Sequence, residues 1–220
     1  MREKTGAVLV AAGLSTRMHA FKPLLPFGDS TIAEHVVLSL KELGLDPIVV
    51  VIGYRGAELR QRLAYTGASF VVNERYKKTQ MFDSICLGIR AAAGQCERIA
   101  VMPMDLPAIR RETFERILDT DAQIARTSYN GLPGHPVVIR SQMALRLCEY
   151  SGTGGLKGAV EAVGIPYTEL VTDDPGVRQD VDTREEYERL VEQYFSTESA
   201  RKKETNGSGE KKTDGGGKET

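Results

Sequence analysis

The sequence predicts an α/β fold in which a mostly parallel β-sheet lies between layers of helices. Short apolar runs alternate with segments of helical periodicity along the chain, which is typical of successive β–α–β units. The run at residues 47–52, PIVVVI, is apolar throughout, as expected for a parallel strand covered on both faces. The 220 residues are enough for one large domain of this kind.

The first half of the chain predicts alternating strands and helices. The apolar run 8–10 predicts a buried strand. Residues 31–43 follow as a helix with apolar residues at helical spacing, which Ser30 or Thr31 can cap at its start and Gly44 at its end. The other elements predicted in this half are strands 47–52, 69–72 and 98–102, and helices 56–64 and 83–93.

The second half predicts further elements of both kinds. Residues 123–127 and 136–140 have the pattern of strands on either side of a glycine-rich turn at 130–134. The other elements predicted in this half are helices 113–118, 156–163 and 184–194, and strand 167–171.

Residues 196–220 differ in composition from the rest of the chain. Ala200 is their one apolar residue among Gly, Lys, Glu, Ser and Thr. Such a segment buries too little surface to offset the entropy lost on ordering. We therefore predict one folded domain over residues 1–195 and a disordered tail or linker over residues 196–220.

Overall composition excludes several classes of protein. The net charge is −1, so no overall positive field would attract nucleic acid. Cys86, Cys96 and Cys148 are scattered without a C-x-x-C pair, which argues against a disulfide framework or structural zinc and for a reducing compartment. No apolar stretch reaches the roughly 20 residues that a membrane-spanning helix needs. We therefore expect a cytoplasmic protein without a nucleic-acid or membrane partner.

The segment 8–28, VLVAAGLSTRMHAFKPLLPFG, has the features of a phosphate-binding loop. After the strand, Ala-Ala-Gly turns the chain with little bulk, so that backbone N–H groups can approach a ligand. Arg17 and Lys22 then supply positive charge, and together these features predict a cradle for a polyphosphate. The P-loop and Rossmann glycine patterns are absent from the sequence. An ordinary solvated surface pair remains the alternative for Arg17 and Lys22.

Two later segments of the chain contain carboxylates that could hold a metal ion. Asp105 comes just after the predicted strand 98–102, at the edge where open α/β sheets bind ligands. Asp180 and Asp182 alternate in the segment QDVDT and share one side if it is extended. Mg²⁺ prefers such hard oxygen ligands and often takes only one or two carboxylates. The alternative roles are a turn or helix cap for Asp105 and an N-cap for Asp182 or Thr183.

Segment 8–28 resembles the signature of the molybdenum cofactor nucleotidyltransferases, the MobA-like NTP transferases: A-[AG]-G-x-S-x-R-M-G-x-x-K. Ala-Ala-Gly is similar to the cytidylyltransferase branch, and His19 departs from the family's usual Gly. Asp105 and Asp182 stand in segments that resemble the family's M-D-x-P and D-[IV]-D-T motifs, and His135 stands in its G-H-P motif. The resemblance covers roughly residues 6–194.

The resemblance implies a single Rossmann-like domain of the nucleotide-diphospho-sugar transferase type. The implied reaction moves CMP from CTP, or a nucleotide from another NTP, to the phosphate of molybdopterin, with Mg²⁺ as cofactor and pyrophosphate as leaving group. A molybdoenzyme would be the client of the product. The implied site residues are Lys22, Arg17 and Asp105 for catalysis; Ala11, Ala12, Gly13, Leu14, Ser15, Thr16, Arg17, Lys22 and Ser84 for the nucleotide; His135 for the acceptor; and Asp105 and Asp182 for the metal, with Asp180 second to Asp182.

Other interpretations stay open at this point. The same loop would serve a nucleotidyltransferase with a sugar-phosphate or alcohol-phosphate acceptor. A non-catalytic chaperone that binds nucleotide or cofactor for a molybdoenzyme would bind NTP without releasing pyrophosphate. A structural domain with a vestigial site is the third reading, indicated by His19 and by Thr79-Gln80 in place of a usual Gly. Ser84, with Asp83, also suits a helix cap.

Overall fold

The computed structural model describes residues 3–13 and 20–207, with side chains as far as Ser199. These residues form strands β1 (Thr5–Ala11), β2 (Pro26–Phe27), β3 (Ser30–Thr31), β4 (Ile48–Ile52), β5 (Ser69–Val72), β6 (Arg98–Pro103), β7 (Ile124–Tyr129), β8 (Leu132–Arg140) and β9 (Thr168–Val171). The helices are α1 (Ile32–Glu42), α2 (Gly56–Leu63), α3 (Met81–Ala92), α4 (Arg111–Leu118), α5 (Ser141–Leu147), α6 (Gly155–Val163) and α7 (Arg184–Gly207). Every strand and helix predicted from the sequence is therefore present, and all but α7, which is longer than predicted, lie within a few residues of their predicted bounds.

Seven of the described strands form one sheet in the order β5–β4–β1–β6–β8–β7–β9. Strands β5, β4, β1 and β6 are parallel, whereas β8 is antiparallel to both β6 and β7, and β9 is parallel to β7. The mostly parallel sheet predicted from the sequence is confirmed. The chain passes from β1 to β4 on one side and later to β6 on the other. The carboxyl ends of β1 and β6 therefore form a switch point, where such sheets bind ligands.

The sheet separates two apolar layers. All residues of β1 and β4 are buried, and alternate side chains along β1 point to opposite faces. One layer packs α1, α2, α4 and α7 against the sheet, and the other packs α3, α5 and α6. Cys86, Cys96 and Cys148 are buried free thiols within the second layer. No helix among the described residues combines the length and apolar character that crossing a membrane requires.

Helix α1 begins and ends as the sequence predicts. Thr31 is the N-cap, since its hydroxyl accepts from the backbone N–H of Glu34 while the Glu34 carboxylate accepts from the Thr31 N–H. Gly44 follows the helix with φ of +82°, a conformation that glycine adopts without a steric penalty. Local capping chemistry thus places the start of the helix directly after the short β2–β3 hairpin.

Helix α7 extends beyond residue 195, where the sequence predicts that the folded domain ends. Helix α7 continues through residues 196–207, which the composition predicts as part of an irregular tail. Tyr194 and Phe195 pack on Phe27, with ring centroids 4.9 and 5.2 Å away, and anchor the helix to the core. Half of residues 196–207 are Glu, Lys, Arg or Ala, which have high helix propensity. This propensity favours continuation of the helix although the segment has no apolar face. Residues 208–220 lie outside the described residues.

Helix α5 has no counterpart in the sequence prediction. It begins directly after β8 and has only seven residues, with Met143, Ala144 and Leu147 buried against the second layer. A short helix that follows a strand without a loop gives a weak periodic signal. Tertiary burial, rather than a long amphipathic pattern, stabilises it.

Candidate active site

The predicted site residues meet at the carboxyl edge of β1 and β6. Gly13 follows β1, Lys22 begins a 3-10 turn (Lys22–Leu24), and Asp105 follows β6. A cavity of about 150 Å³ lies between Gly13, Lys22, Met81 and Asp105. A larger cleft, of about 740 Å³, lies between α1, α4 and α7 and is lined by none of the predicted site residues that the structure describes.

Lys22 joins two carboxylates that are distant in sequence. Its Nζ lies 2.7 Å from Asp182 Oδ1 and 3.2 Å from Asp105 Oδ2, across 160 and 83 residues of chain. Lys22 is only 8% exposed, and the two aspartate side chains are 22% (Asp105) and 33% (Asp182) exposed. The fold therefore brings together the three charged residues that the sequence places in three separate motifs.

Neighbouring buried residues hold these three side chains in place. Asp105 lies between Met104 and Leu106, which are both buried, and the Met104 N–H donates to the Val10 carbonyl at 3.1 Å. That bond ties the segment after β6 to the end of β1. Pro23 follows Lys22 at the start of the 3-10 turn and is also buried.

The start of α7 resolves the alternative roles of Asp182 and Thr183. The Thr183 hydroxyl accepts from the Glu186 N–H at 3.2 Å, and the Glu186 carboxylate accepts from the N–H groups of Thr183 and Asp182. Thr183 therefore fills the capping role, while the Asp182 side chain binds Lys22. Val181 is fully buried beside Asp182 and anchors the segment in the core.

The two aspartates determine the direction in which the pKa of Lys22 is shifted. Burial by itself lowers the pKa of Lys22, but the carboxylates of Asp182 and Asp105 outweigh it, so its pKa lies above the ordinary value. Burial, and then repulsion from Asp105 and Asp182, raises the pKa of the Asp180 carboxyl. Asp180 is thus a third carboxylate near the other two.

The cluster suits a hard divalent cation. Asp105 and Asp182 each place an oxygen within reach of a single ammonium group, so one cation can bridge them. Among the described residues no group of three or more His, Cys, Asp or Glu side chains is arranged to hold a metal. A pair of carboxylates is nevertheless sufficient for Mg²⁺, which keeps several waters and takes the remaining ligands from phosphates.

Part of the predicted phosphate loop lies within the described residues. Ala11 and Ala12 are buried at the end of β1, and a Cβ built on Gly13 would meet no atom of residues 3–12 or 20–199 within 4 Å. The backbone at Gly13 therefore faces open space, as close approach to a phosphate requires. The other predicted nucleotide-binding residues of the loop, Leu14, Ser15, Thr16 and Arg17, lie outside the described residues.

Ser84 belongs to a buried network rather than to a helix cap. Its hydroxyl accepts from Asn73 Nδ2 at 2.9 Å, and the same amide donates to Thr79 Oγ1 at 2.9 Å. Helix α3 begins two residues earlier than predicted, at Met81, and the Asp83 carboxylate accepts from the Gln80 N–H at its start. The capping role predicted for Ser84 is therefore wrong, because Asp83 accepts the N–H at the helix start.

His135 lies on β8, the strand next to β6. Burial lowers the pKa of its imidazole, and Asp105 is close enough to oppose that effect in part. The imidazole is therefore neutral at pH 7. Its Nδ1 is buried and has no hydrogen-bond partner among the described residues. A buried ring nitrogen without a protein partner among the described residues is a polar group that a ligand could satisfy.

The Gly53–Tyr54–Arg55 turn after β4 is a feature that sequence reasoning missed. A Cβ on Gly53 would lie 2.9 Å from the Ala12 carbonyl oxygen, so the two turns touch. The Tyr54 ring meets the Phe21 ring edge-on at 5.9 Å, and the Arg55 guanidinium lies 5.5 Å from the Phe21 centroid. The turn therefore contacts both flanks of the phosphate loop. The one sequence signal for this turn is its position directly after the apolar run 47–52, which forms the strand next to β1.

Comparison with known proteins identifies the family of this chain. The model of the MobA-like NTP transferase domain matches residues 7–166. The molybdenum cofactor cytidylyltransferase of Escherichia coli (strain K12) is 25% identical over 189 residues, which cover 85% of this chain and 95% of that protein.

Solved structures share the fold. A nucleotidyl transferase from a Methanothermobacter species has a TM-score of 0.78 at 22% identity, over 88% of this chain and 99% of that one. Rv0371c from Mycobacterium tuberculosis H37Rv, solved as a complex with manganese, has a TM-score of 0.70 at 28% identity, over 86% of this chain and 98% of that one. The family model spans well over half of the chain, including most of β1 and the residues Lys22, Asp105 and His135. The chain therefore belongs to the family of MobA-like NTP transferase domains.

Proposed function

We propose that this protein is a molybdenum cofactor cytidylyltransferase, which transfers CMP from CTP to the terminal phosphate of molybdopterin and releases pyrophosphate. The observation that carries the proposal is the Lys22–Asp105–Asp182 cluster beside the open backbone of Gly13. The similarity to the molybdenum cofactor cytidylyltransferase of Escherichia coli supports CTP and molybdopterin as substrates. The Ala-Ala-Gly turn further supports CTP as the nucleotide.

The nucleotide would lie across the turn after β1. The backbone at Gly13 would face the phosphates, and Lys22, with Arg17 from the same motif, would offset their negative charge. Asn73 and Ser84 lie on the β5 side of the crevice, where the nucleoside would be bound. Binding and positioning of this kind lower the barrier without a covalent nucleophile.

Asp105 and Asp182 would hold Mg²⁺. When bound, the ion would neutralise charge that builds on the phosphates during transfer. The manganese complex of Rv0371c supports a divalent cation in this family. Between them the two aspartates supply the hard oxygen ligands that Mg²⁺ prefers.

The acceptor would enter from the β8 side of the crevice. An oxygen of its terminal phosphate would form a bond to the α-phosphorus of CTP, and the bond from that phosphorus to pyrophosphate would break. His135, whose neutral imidazole has no Nδ1 partner within the part of the chain that the structure describes, would hydrogen-bond the acceptor. The resulting dinucleotide would pass to a molybdoenzyme client.

A pyrophosphate-release assay tests this function. The purified protein, with Mg²⁺, is given CTP, GTP, ATP or UTP together with molybdopterin, a sugar phosphate or no acceptor. We expect pyrophosphate release that depends on molybdopterin and is fastest with CTP. Release with a sugar phosphate instead of molybdopterin would show a different acceptor. Nucleotide binding without release under any condition would show a binding protein rather than an enzyme.

A further inference from the structure

Lys22 occupies the place that a bridging cation would take. Its ammonium contacts one oxygen of Asp105 and one of Asp182, and its side chain is only 10% exposed. A divalent cation bound to the same two oxygens would lie within a few ångströms of that ammonium. Two like charges at such a separation, shielded from water, repel strongly. The ammonium and the metal therefore compete for the same carboxylates.

We propose that Lys22 makes this site select the metal–nucleotide complex over the free metal ion. In the nucleotide-free protein, the Lys22 ammonium holds Asp105 and Asp182 and excludes divalent cations. A bound triphosphate offers Lys22 a new anionic partner, so that the ammonium moves and the carboxylates become available to the metal. This inference rests on the proposed function for the identity of the triphosphate only.

The surroundings of Lys22 allow this movement. The cavity of about 150 Å³ that Lys22 lines also reaches Gly13, whose backbone faces open space. A lysine has four rotatable bonds in its side chain, so the ammonium can turn towards Gly13 while the Lys22 backbone stays in the 3-10 turn. The destination of the ammonium is thus the predicted phosphate position.

The charge balance of the cluster gives Lys22 a measurable effect on metal affinity. The Lys22 ammonium contacts both Asp105 and Asp182, so that one positive charge is set against two carboxylates. Replacing Lys22 by a neutral residue removes the positive charge bonded to Asp105 and Asp182, and a divalent cation is then attracted more strongly to their oxygens. A neutral residue at position 22 should therefore tighten metal binding in the absence of nucleotide.

Mn²⁺ binding to the nucleotide-free full-length protein tests the proposal. Free Mn²⁺ is followed by electron paramagnetic resonance for the wild type, Lys22→Met, Lys22→Gln and Lys22→Arg, after melting curves confirm that each variant is folded. We expect Lys22→Met and Lys22→Gln to bind Mn²⁺ at least about 10-fold more tightly than the wild type, and Lys22→Arg to bind like the wild type. Adding Asp182→Asn to Lys22→Met should abolish the gain.

The effect of nucleotide on Mn²⁺ binding by the wild type provides a second measurement. A non-hydrolysable CTP analogue should tighten its Mn²⁺ binding, and should do so less in Lys22→Met. Equal Mn²⁺ affinity in the wild type and both neutral variants would overturn the proposal, even if the enzyme is active. Because this comparison needs no acceptor and no turnover, a failure of the proposed transfer reaction would leave its result standing.

Discussion

At the residue scale, the proposed function depends most on the charge of Lys22. Negative charge builds on the leaving pyrophosphate in the transition state, so the ammonium should stabilise that state more than the ground state. We expect Lys22→Ala to lower kcat by about 10²-fold or more, a typical loss for a main electrostatic donor, and to weaken CTP binding less. Steady-state kinetics and CTP titration measure both effects.

Lys157→Ala is the matched control for this change. Lys157 lies on α6 with its side chain 76% exposed, away from the cluster. Its removal should leave kcat and CTP affinity unchanged. If Lys22→Ala raised only the Kd for CTP and kept a normal kcat, the transition-state role of Lys22 would be wrong.

Ala12 carries a prediction about base choice. It is buried at the turn after β1, where the guanylyltransferase branch usually has a second Gly. A purine needs more room than a pyrimidine, so the added methyl group should favour CTP over GTP by about 10–200-fold. Ala12→Gly should relax that preference without making a good GTP enzyme. Equal use of the two nucleotides by the wild type in competition assays would refute the assignment to the cytidylyltransferase branch.

Some residues of the candidate site can be predicted from the sequence and others cannot. Lys22, Asp105 and Asp182 are predictable because each stands in a motif with a chemical reason for its position. The Tyr54 and Arg55 contacts with Phe21 are not, because an aromatic ring and a guanidinium at separate positions give no pattern until the fold brings them together. The sequence likewise does not predict that the buried Nδ1 of His135 has no hydrogen-bond partner among the described residues.

At the element scale, the carboxylate of Glu34 couples α1 to α2. Glu34 is 4% exposed and accepts hydrogen bonds from Arg62 at 2.8 Å, Tyr65 at 2.9 Å and Thr31 at 3.0 Å. Burial alone would raise its pKa, but these bonds outweigh burial and hold the pKa below its ordinary value of 4.5. Its ionised form therefore stabilises the folded state.

We expect Glu34→Gln to lower the free energy of unfolding by about 1–3 kcal/mol at pH 7, as the loss of a buried charged acceptor does. Because the folded-state pKa is lowered, this stability is present above pH 4.5 and is lost as pH falls through the lowered value. Denaturant unfolding at pH values from 7 to below 4 should show a constant difference above pH 4.5 and convergence of the two proteins only below it. Glu161→Gln, at an exposed carboxylate of α6, should change little; a difference between Glu34→Gln and the wild type that stays constant with pH would contradict the assignment.

Helix α7 carries a prediction about where the fold ends. Tyr194 and Phe195 pack on Phe27, and residues 196–199 have no comparable apolar anchor. Deletion of residues 196–220 should leave the melting temperature and nucleotide binding nearly unchanged. Deletion of residues 194–220 should lower the free energy of unfolding by about 2 kcal/mol or more, because both rings are lost. A large loss of stability in the shorter deletion would show that the added turns of α7 support the fold.

Element types were more predictable than element ends. The cap at Thr31 and the glycine at position 44 locate α1 closely, because their chemistry is local. The end of α7 and the existence of α5 depend on helix propensity without a long amphipathic pattern and on burial supplied by other segments.

At the scale of the whole molecule, the order of strands creates the site. Placing β4 on one side of β1 and β6 on the other opens the crevice between the phosphate turn and Asp105. Alternation of apolar runs and helices predicts the fold class and the parallel core of the sheet. It does not predict that β8 is inserted antiparallel between β6 and β7, because strand pairing at long range leaves no local signal.

The chemistry of the Lys22–Asp105–Asp182 cluster is tested most directly by single-turnover transfer of labelled CMP from CTP to molybdopterin at limiting Mg²⁺. The wild type, Asp105→Asn, Asp182→Asn and Asp121→Asn are compared; Asp121 is an exposed carboxylate that pairs with Arg140. We predict that Asp121→Asn matches the wild type, whereas Asp105→Asn and Asp182→Asn are slower by about 10²-fold or more and require more Mg²⁺. Full activity of either of these two variants at limiting Mg²⁺ would contradict the account.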